Sequence, residues 1–230
     1  MKRASWTAST TSAREFPNPL LWRACVFPLI VLLPVVAVSP AAGSTYNGYN
    51  DQTSDGGSFG GVVATIECQA TVVVNGVSVW VGIDDGRSGS GWWYQSGWRQ
   101  LAGDIPRAYF EWVDGEGKDQ REVSEGQPPS SGDYSLERNG PNVTYVAGNI
   151  LAGSVPWTEN CSCWAQYVVE LHDEAGGDQT PGTSSDPLTF QGIEVRVGGS
   201  WGAAPLAIER KSTFGHVSKS GNSISVYDTR

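Results

Sequence analysis

The chain has 230 residues, with 24 acidic against 15 basic side chains and a formal charge of −9. Residues 1–43 hold four of the basic residues and one of the acidic ones, so residues 44–230 keep 11 basic and 23 acidic, a charge of −12. Charge of that sign repels phosphate and excludes nucleic acid as the expected partner; it suits a protein that stays soluble in mildly acidic surroundings.

Lys2, Arg3, Arg14 and Arg23 precede an apolar run over residues 24–38, and the small residues Ser39, Ala41, Ala42, Gly43 and Ser44 follow it. That is the layout of a secretion signal. Pro28 and Pro34 break the run, which falls short of the ~20 apolar residues that a spanning helix needs. Residues 1–43 are therefore expected to be a signal peptide, and the protein to be secreted with no stable membrane insertion once the signal is removed. Cys68, Cys161 and Cys163 lie beyond it. In an exported chain a disulfide is the default, joining Cys68 to Cys161 or Cys163. Three sulfurs without a nearby histidine make an incomplete zinc set, so neither metal nor cofactor is expected. The remaining length suits one well-buried domain, expected as a monomer.

Residues 44–58 are polar and rich in Gly, Asn and Asp, with no hydrophobic period. They are expected to be a loose, flexible lead-in, at most an edge strand. Over residues 62–74, Val62, Ala64, Ile66, Cys68, Ala70, Val72 and Val74 alternate with Thr65, Glu67, Gln69 and Thr71, the pattern of a half-buried strand. Asn75-Gly76 follows, a hairpin dipeptide that predicts an antiparallel partner from Val77. In that partner Val77, Val79, Val81 and Ile83 share one face, while Ser78, Trp80, Gly82 and Asp84 share the other. Residues 92–98 hold three tryptophans, Tyr94 and Gln95; a strand over 107–113 sets Tyr109 and Glu111 against Phe110 and Trp112.

Residues 115–132 have no period and read as a long loop or weak hairpin. Short strands are expected around 134–138, 143–147 and 150–155. Residues 161–172 alternate again, with Ala165, Tyr167, Val169 and Leu171 on an apolar face and Trp164, Gln166, Val168, Glu170 and His172 opposite. A polar loop over 173–187 leads to strands at 188–197, 207–217 and 224–227, the last two separated by Ser220-Gly221-Asn222. No stretch carries a ten-residue helical period. Many short strands punctuated by turns predict an all-β fold, a two-sheet antiparallel β-sandwich of jelly-roll type over residues 59–230.

Nucleophilic hydrolysis needs a base beside its serine or cysteine, and neither His172 nor His216 has such a setting in the sequence. Carboxylates are the better candidates, and the tryptophan cluster Trp92, Trp93 and Trp98 would suit a groove that stacks sugar rings or, equally, would fill the core of a sandwich. The ordered motifs WVGID (80–84), QSG (95–97), YFEW (109–112), AQYVVE (165–170) and the closing LAIERKSTFGHVSKSGNSISVYD resemble those of the glutamic peptidases, or eqolisins, over roughly residues 59–227. The resemblance implies two curved antiparallel sheets and an acid-acting endopeptidase in which a glutamate cycles a proton and a glutamine activates water and holds the oxyanion.

By that resemblance Gln95 matches the catalytic glutamine, Trp80 and Asp84 match residues near the site, and Glu111 matches the acidic residue of the YFEW strand. Tyr109 joins Trp80, Asp84 and Glu111 as a candidate substrate-binding residue. The position of the catalytic glutamate is Gln166, which cannot shuttle a proton. Glu170 lies four residues on, on the same face but ~13 Å away. Arg107 replaces an expected aspartate and is expected to pair with Glu111 or Asp84 and lower their pKa. Two functions follow: an endopeptidase working through Glu170 or Glu111 with Gln95, or a silent relative that binds peptide or glycan in the same place.

Overall fold

The computed structural model describes residues 44–52, 58–84, 93–113, 117–157 and 164–230. They form two antiparallel sheets packed face to face. One runs, in spatial order, β13 (Ile208–Arg210), β1 (Thr45–Gln52), β10 (Trp164–Leu171), β3 (Gly76–Asp84), β4 (Trp93–Leu101), β5 (Arg107–Val113) and β6 (Asp119–Val123). The other runs β14 (Gly215–Ser220), β15 (Ser223–Asp228), β11 (Leu188–Val197), β2 (Phe59–Glu67), β7 (Ser131–Asn139), β8 (Asn142–Ala147) and β9 (Leu151–Pro156), with β12 (Ser200–Ala203) on β11. This is an all-β sandwich, as the alternating pattern predicts.

Alternation fixes the core. Val62, Ala64 and Ile66 of β2, Val77, Val79, Val81 and Ile83 of β3, and Ala165, Tyr167, Val169 and Leu171 of β10 all turn inward and are buried. Each large aliphatic among them contributes about 1.5–3 kcal/mol by leaving water. Between the sheets Phe110 stacks on Tyr145 with ring centroids 3.8 Å apart. Trp98 is fully buried here and donates its Nε1 to the Glu67 carbonyl at 2.9 Å. The expected tryptophan groove is thus divided, because Trp98 fills the sandwich; Trp92 lies outside the described residues.

Several elements depart from the pattern. The expected flexible lead-in is a strand, β1, held between β13 and β10 inside the sheet. Polar anchors do what a hydrophobic period does elsewhere. Buried Asn47 donates to Thr180 Oγ1 at 2.9 Å and accepts from Ser212 N at 2.8 Å, and buried Asp51 accepts from Ala207 N at 2.8 Å. The Asn75-Gly76 hairpin does not form: β2 and β3 belong to different sheets. A type I′ turn needs positive φ at both residues, and neither has it.

The expected strand over 207–217 divides into β13 and β14, one in each sheet, and β6 occupies part of the expected 115–132 loop. Cys68 carries a free, half-buried thiol whose pKa burial pushes up to about 11; Cys161 and Cys163, its expected disulfide partners, lie outside the described residues.

Burial also raises the pKa of the Asp51 carboxyl, against backbone N–H donors that lower it. A carboxyl raised in the fold holds its proton more tightly there than in the unfolded chain, so its contribution favours folding in acid and is lost as pH rises through the folded pKa. Thermal melts from about pH 4 to about pH 7 are expected to show Asp51→Asn gaining on the native chain as pH rises. A difference between the two that is constant with pH would refute it.

Candidate active site

The register of the seven-stranded sheet lines up the motif residues in transverse rows. Gln166 of β10 lies opposite Gly82 of β3, Gly82 opposite Gln95 of β4, and Gln95 opposite Glu111 of β5. Directly paired residues project to the same side of a sheet, so Gln166, Gln95 and Glu111 all stand on the outer face, turned away from the sandwich core. Two strand spacings separate Gln166 from Gln95, ~10 Å between their backbones. Beyond Gln166 the row continues through Asn50 of β1 to Ile208 of β13, and beyond Glu111 it ends on Arg121 of β6.

Gly82 is required at the middle of this row because the Trp80 indole lies across it. A Cβ at position 82 would come within 2.6 Å of that ring. Gly97, opposite Trp80, makes the same allowance: a Cβ there would lie 2.0 Å from the Val79 carbonyl and 2.6 Å from Trp80 Cβ. Trp80, Tyr109 and Val168 form a small buried apolar cluster of their own on the outer face, separate from the sandwich core. They make the floor between the two glutamines. Asp84 lies one row further, between Trp164 of β10 and Trp93 of β4.

Hydrogen bonds divide the polar groups into engaged and free. Tyr109 donates its hydroxyl to Gln95 Oε1 at 3.3 Å, which orients the amide with its NH2 available. The Gln166 amide has no hydrogen-bond partner among the described residues. Glu111 is ion-paired with Arg121, and burial raises its pKa against the pull of that guanidinium. Arg107 does not pair with Glu111 or Asp84 as expected: it stands two rows along β5 from Glu111 and is held by Asp104 at 3.1 Å. The expected lowering of the Glu111 pKa is therefore absent. The partner that tempers it, Arg121, stands on a strand whose sequence has no period.

Glu170 is two rows from Gln166, opposite Ser78 of β3 and Tyr46 of β1, and its Oε1 accepts from the Tyr46 hydroxyl at 3.3 Å. The Ser78 hydroxyl in turn lies 3.3 Å from His172 Nε2. Gln95, Gln166, Trp80, Tyr109 and Glu111 thus share two adjacent rows, while Glu170 belongs to a second polar group ~13 Å along the strand. Among the described residues no set of His, Cys, Asp and Glu could hold a metal ion.

Solved structures share this architecture. Scytalido-glutamic peptidase with a transition state analog inhibitor superposes with a TM-score of 0.59 at 17% identity, over 80% of this chain and 98% of that one. A second scytalido-glutamic peptidase structure, with a peptide based transition state analog, gives 0.55 at 16% identity over the same shares. The fold is that of the glutamic peptidases. SCP-B, a member of the eqolisin family in complex with the tripeptide Ala-Ile-His, gives 0.52 at 17% identity, again over 80% of this chain and 98% of that one. No protein-family model matches the sequence, and no curated protein matches it.

Proposed function

We propose that this chain is an exported protein of glutamic-peptidase fold that binds polypeptide on the outer face of its seven-stranded sheet without hydrolysing it. The observation that carries the reading is the row Gln166–Gly82–Gln95–Glu111. Two half-buried amides face one apolar floor, and the row's one carboxylate is tied to Arg121. Side-chain amides offer both a donor and an acceptor, which is what an extended polypeptide backbone presents in return. The floor of Trp80, Tyr109 and Val168 gives the apolar surface that a peptide side chain can cover. The basic and then apolar sequence ahead of residue 44 supports export.

Hydrolysis of an amide needs a group that takes a proton from water and returns it to the leaving nitrogen. An amide cannot do this. Glu111 is engaged by Arg121, and Glu170 is too far along the strand to replace a carboxylate at position 166. The proposal is tested by incubating the purified chain with a denatured protein substrate from about pH 2 to about pH 7 and, separately, with immobilised peptides from the same substrate. Retention of peptides without cleavage is expected. Cleavage by the native chain, lost in Gln95→Ala, would establish a working peptidase instead.

A further inference from the structure

Arg99 of β4 is a cation on this face that has no ion-pair partner among the described residues. It stands in the row of Glu170, opposite Ser78 of β3 on one side and Arg107 of β5 on the other. Arg107 is neutralised by Asp104 and Arg121 by Glu111. Arg99, half-buried, has neither a hydrogen bond nor an ion pair among the described residues. A guanidinium in that position keeps its charge at any physiological pH while losing part of its hydration, and its five donors are left without acceptors. Burial first, and then repulsion from Arg121, draw its pKa down, partly offset by Tyr109, Glu111 and Asp104, none of which is bonded to it; an anion placed directly against it favours the charged form.

We infer that Arg99 is a carboxylate-binding position for the polypeptide held on this face, taking either an acidic side chain or the C-terminal carboxylate. The planar fork of a guanidinium matches a carboxylate in a bidentate pair, which is the strongest hydrogen-bonding use of such a group. Arg99 lies four residues along β4 from Gln95 and projects to the same side, ~13 Å away. An extended peptide seated over Gln95 and Gln166 covers that span with about four residues. The carboxylate is therefore expected about four residues from the peptide unit that lies over Gly82. This inference rests on the peptide-binding reading above and adds its charge preference.

The test passes a random peptide pool, in free-acid and C-terminally amidated forms, over the immobilised full chain and over Arg99→Gln at about pH 7, and sequences what is retained. The native chain is expected to enrich carboxylate-bearing peptides on the order of tenfold over Arg99→Gln, which still retains neutral peptides. Enrichment of acidic residues in both pools assigns the position to a side chain; enrichment confined to the free-acid pool assigns it to the C-terminus. Arg99→Lys keeps the charge and the stem but not the fork; it is expected to show a reduced acid preference, and gives the comparison if Arg99→Gln does not fold. Equal charge profiles for native and variant overturn the carboxylate position alone. No retention of any peptide by the native chain overturns it together with the peptide-binding reading.

Discussion

Gln166→Glu is expected to release acid-soluble fragments from a denatured protein substrate at about pH 3 to 4, where the native chain releases none. Glutamate has the shape of glutamine, so the substitution changes chemistry at one atom and leaves the row intact. The new carboxyl would stand across Gly82 from Gln95, over the Trp80 indole. It could take a proton from a water held between the two side chains and return it to the departing amine, a step worth roughly 10²–10⁴ in rate. Gln95, its Oε1 held by the Tyr109 hydroxyl, presents its NH2 to the oxyanion of the tetrahedral intermediate. Removing one such donor costs about 10²–10³ in rate, so the double variant Gln166→Glu, Gln95→Ala is expected to fall back toward background. A folded Gln166→Glu that binds peptide and cleaves nothing would show that position 166 is not where this fold can carry its acid, and the carry-over from the motif AQYVVE would fail.

What could be read from the sequence, and what could not, divides along one physical line. Hydrophobic alternation reports burial, and burial on one face assigns the other face by elimination. The valines of β3 and the Ala165, Tyr167, Val169 and Leu171 series of β10 therefore located the side on which Trp80 and Gln166 stand. The motif order then brought Gln95, Tyr109 and Glu111 to that side.

β1 has no such signal because, Tyr49 apart, its buried side chains are polar, and their partners are remote: Thr180 bonds Asn47 across 133 residues and Ala207 bonds Asp51 across 156. No local pattern encodes a pairing at that separation. Arg121 and the ion pair that occupies Glu111 were hidden for a similar reason, since β6 has no apolar face to betray it. Arg99 was within reach. It follows Gln95 by four residues in one strand, and period two alone sets both on one side. The misread hairpin shows the converse error, a local turn signal overridden by the need of β2 and β3 to enter different sheets.

That crossover leads to the largest expected loss of stability, at a residue inside what the sequence shows only as a polar loop. Asp178 is fully buried, and its carboxylate accepts four backbone N–H groups: Val74 at 2.7 Å, Asn75 at 2.9 Å, Gly76 at 3.1 Å and Asp173 at 2.8 Å. Three of these donors belong to the turn that carries the chain from β2 into β3, and the fourth follows the end of β10. One side chain thus ties together the ends of the two strands that bear Trp80 and Gln166. An N–H buried without a partner costs about 1–3 kcal/mol, so Asp178→Ala exposes a loss of ~4 kcal/mol or more, a large part of the ~5–15 kcal/mol by which a domain is stable. For a domain of this size that is a fall of ~8–16 °C in Tm, read by thermal unfolding. Asp178→Asn keeps the shape but turns an NH2 toward two of the four donors, and is expected to recover only part of the loss. A fall of less than ~3 °C for Asp178→Ala would mean that water or a shifted backbone satisfies these donors, and that the crossover is held by something other than this carboxylate.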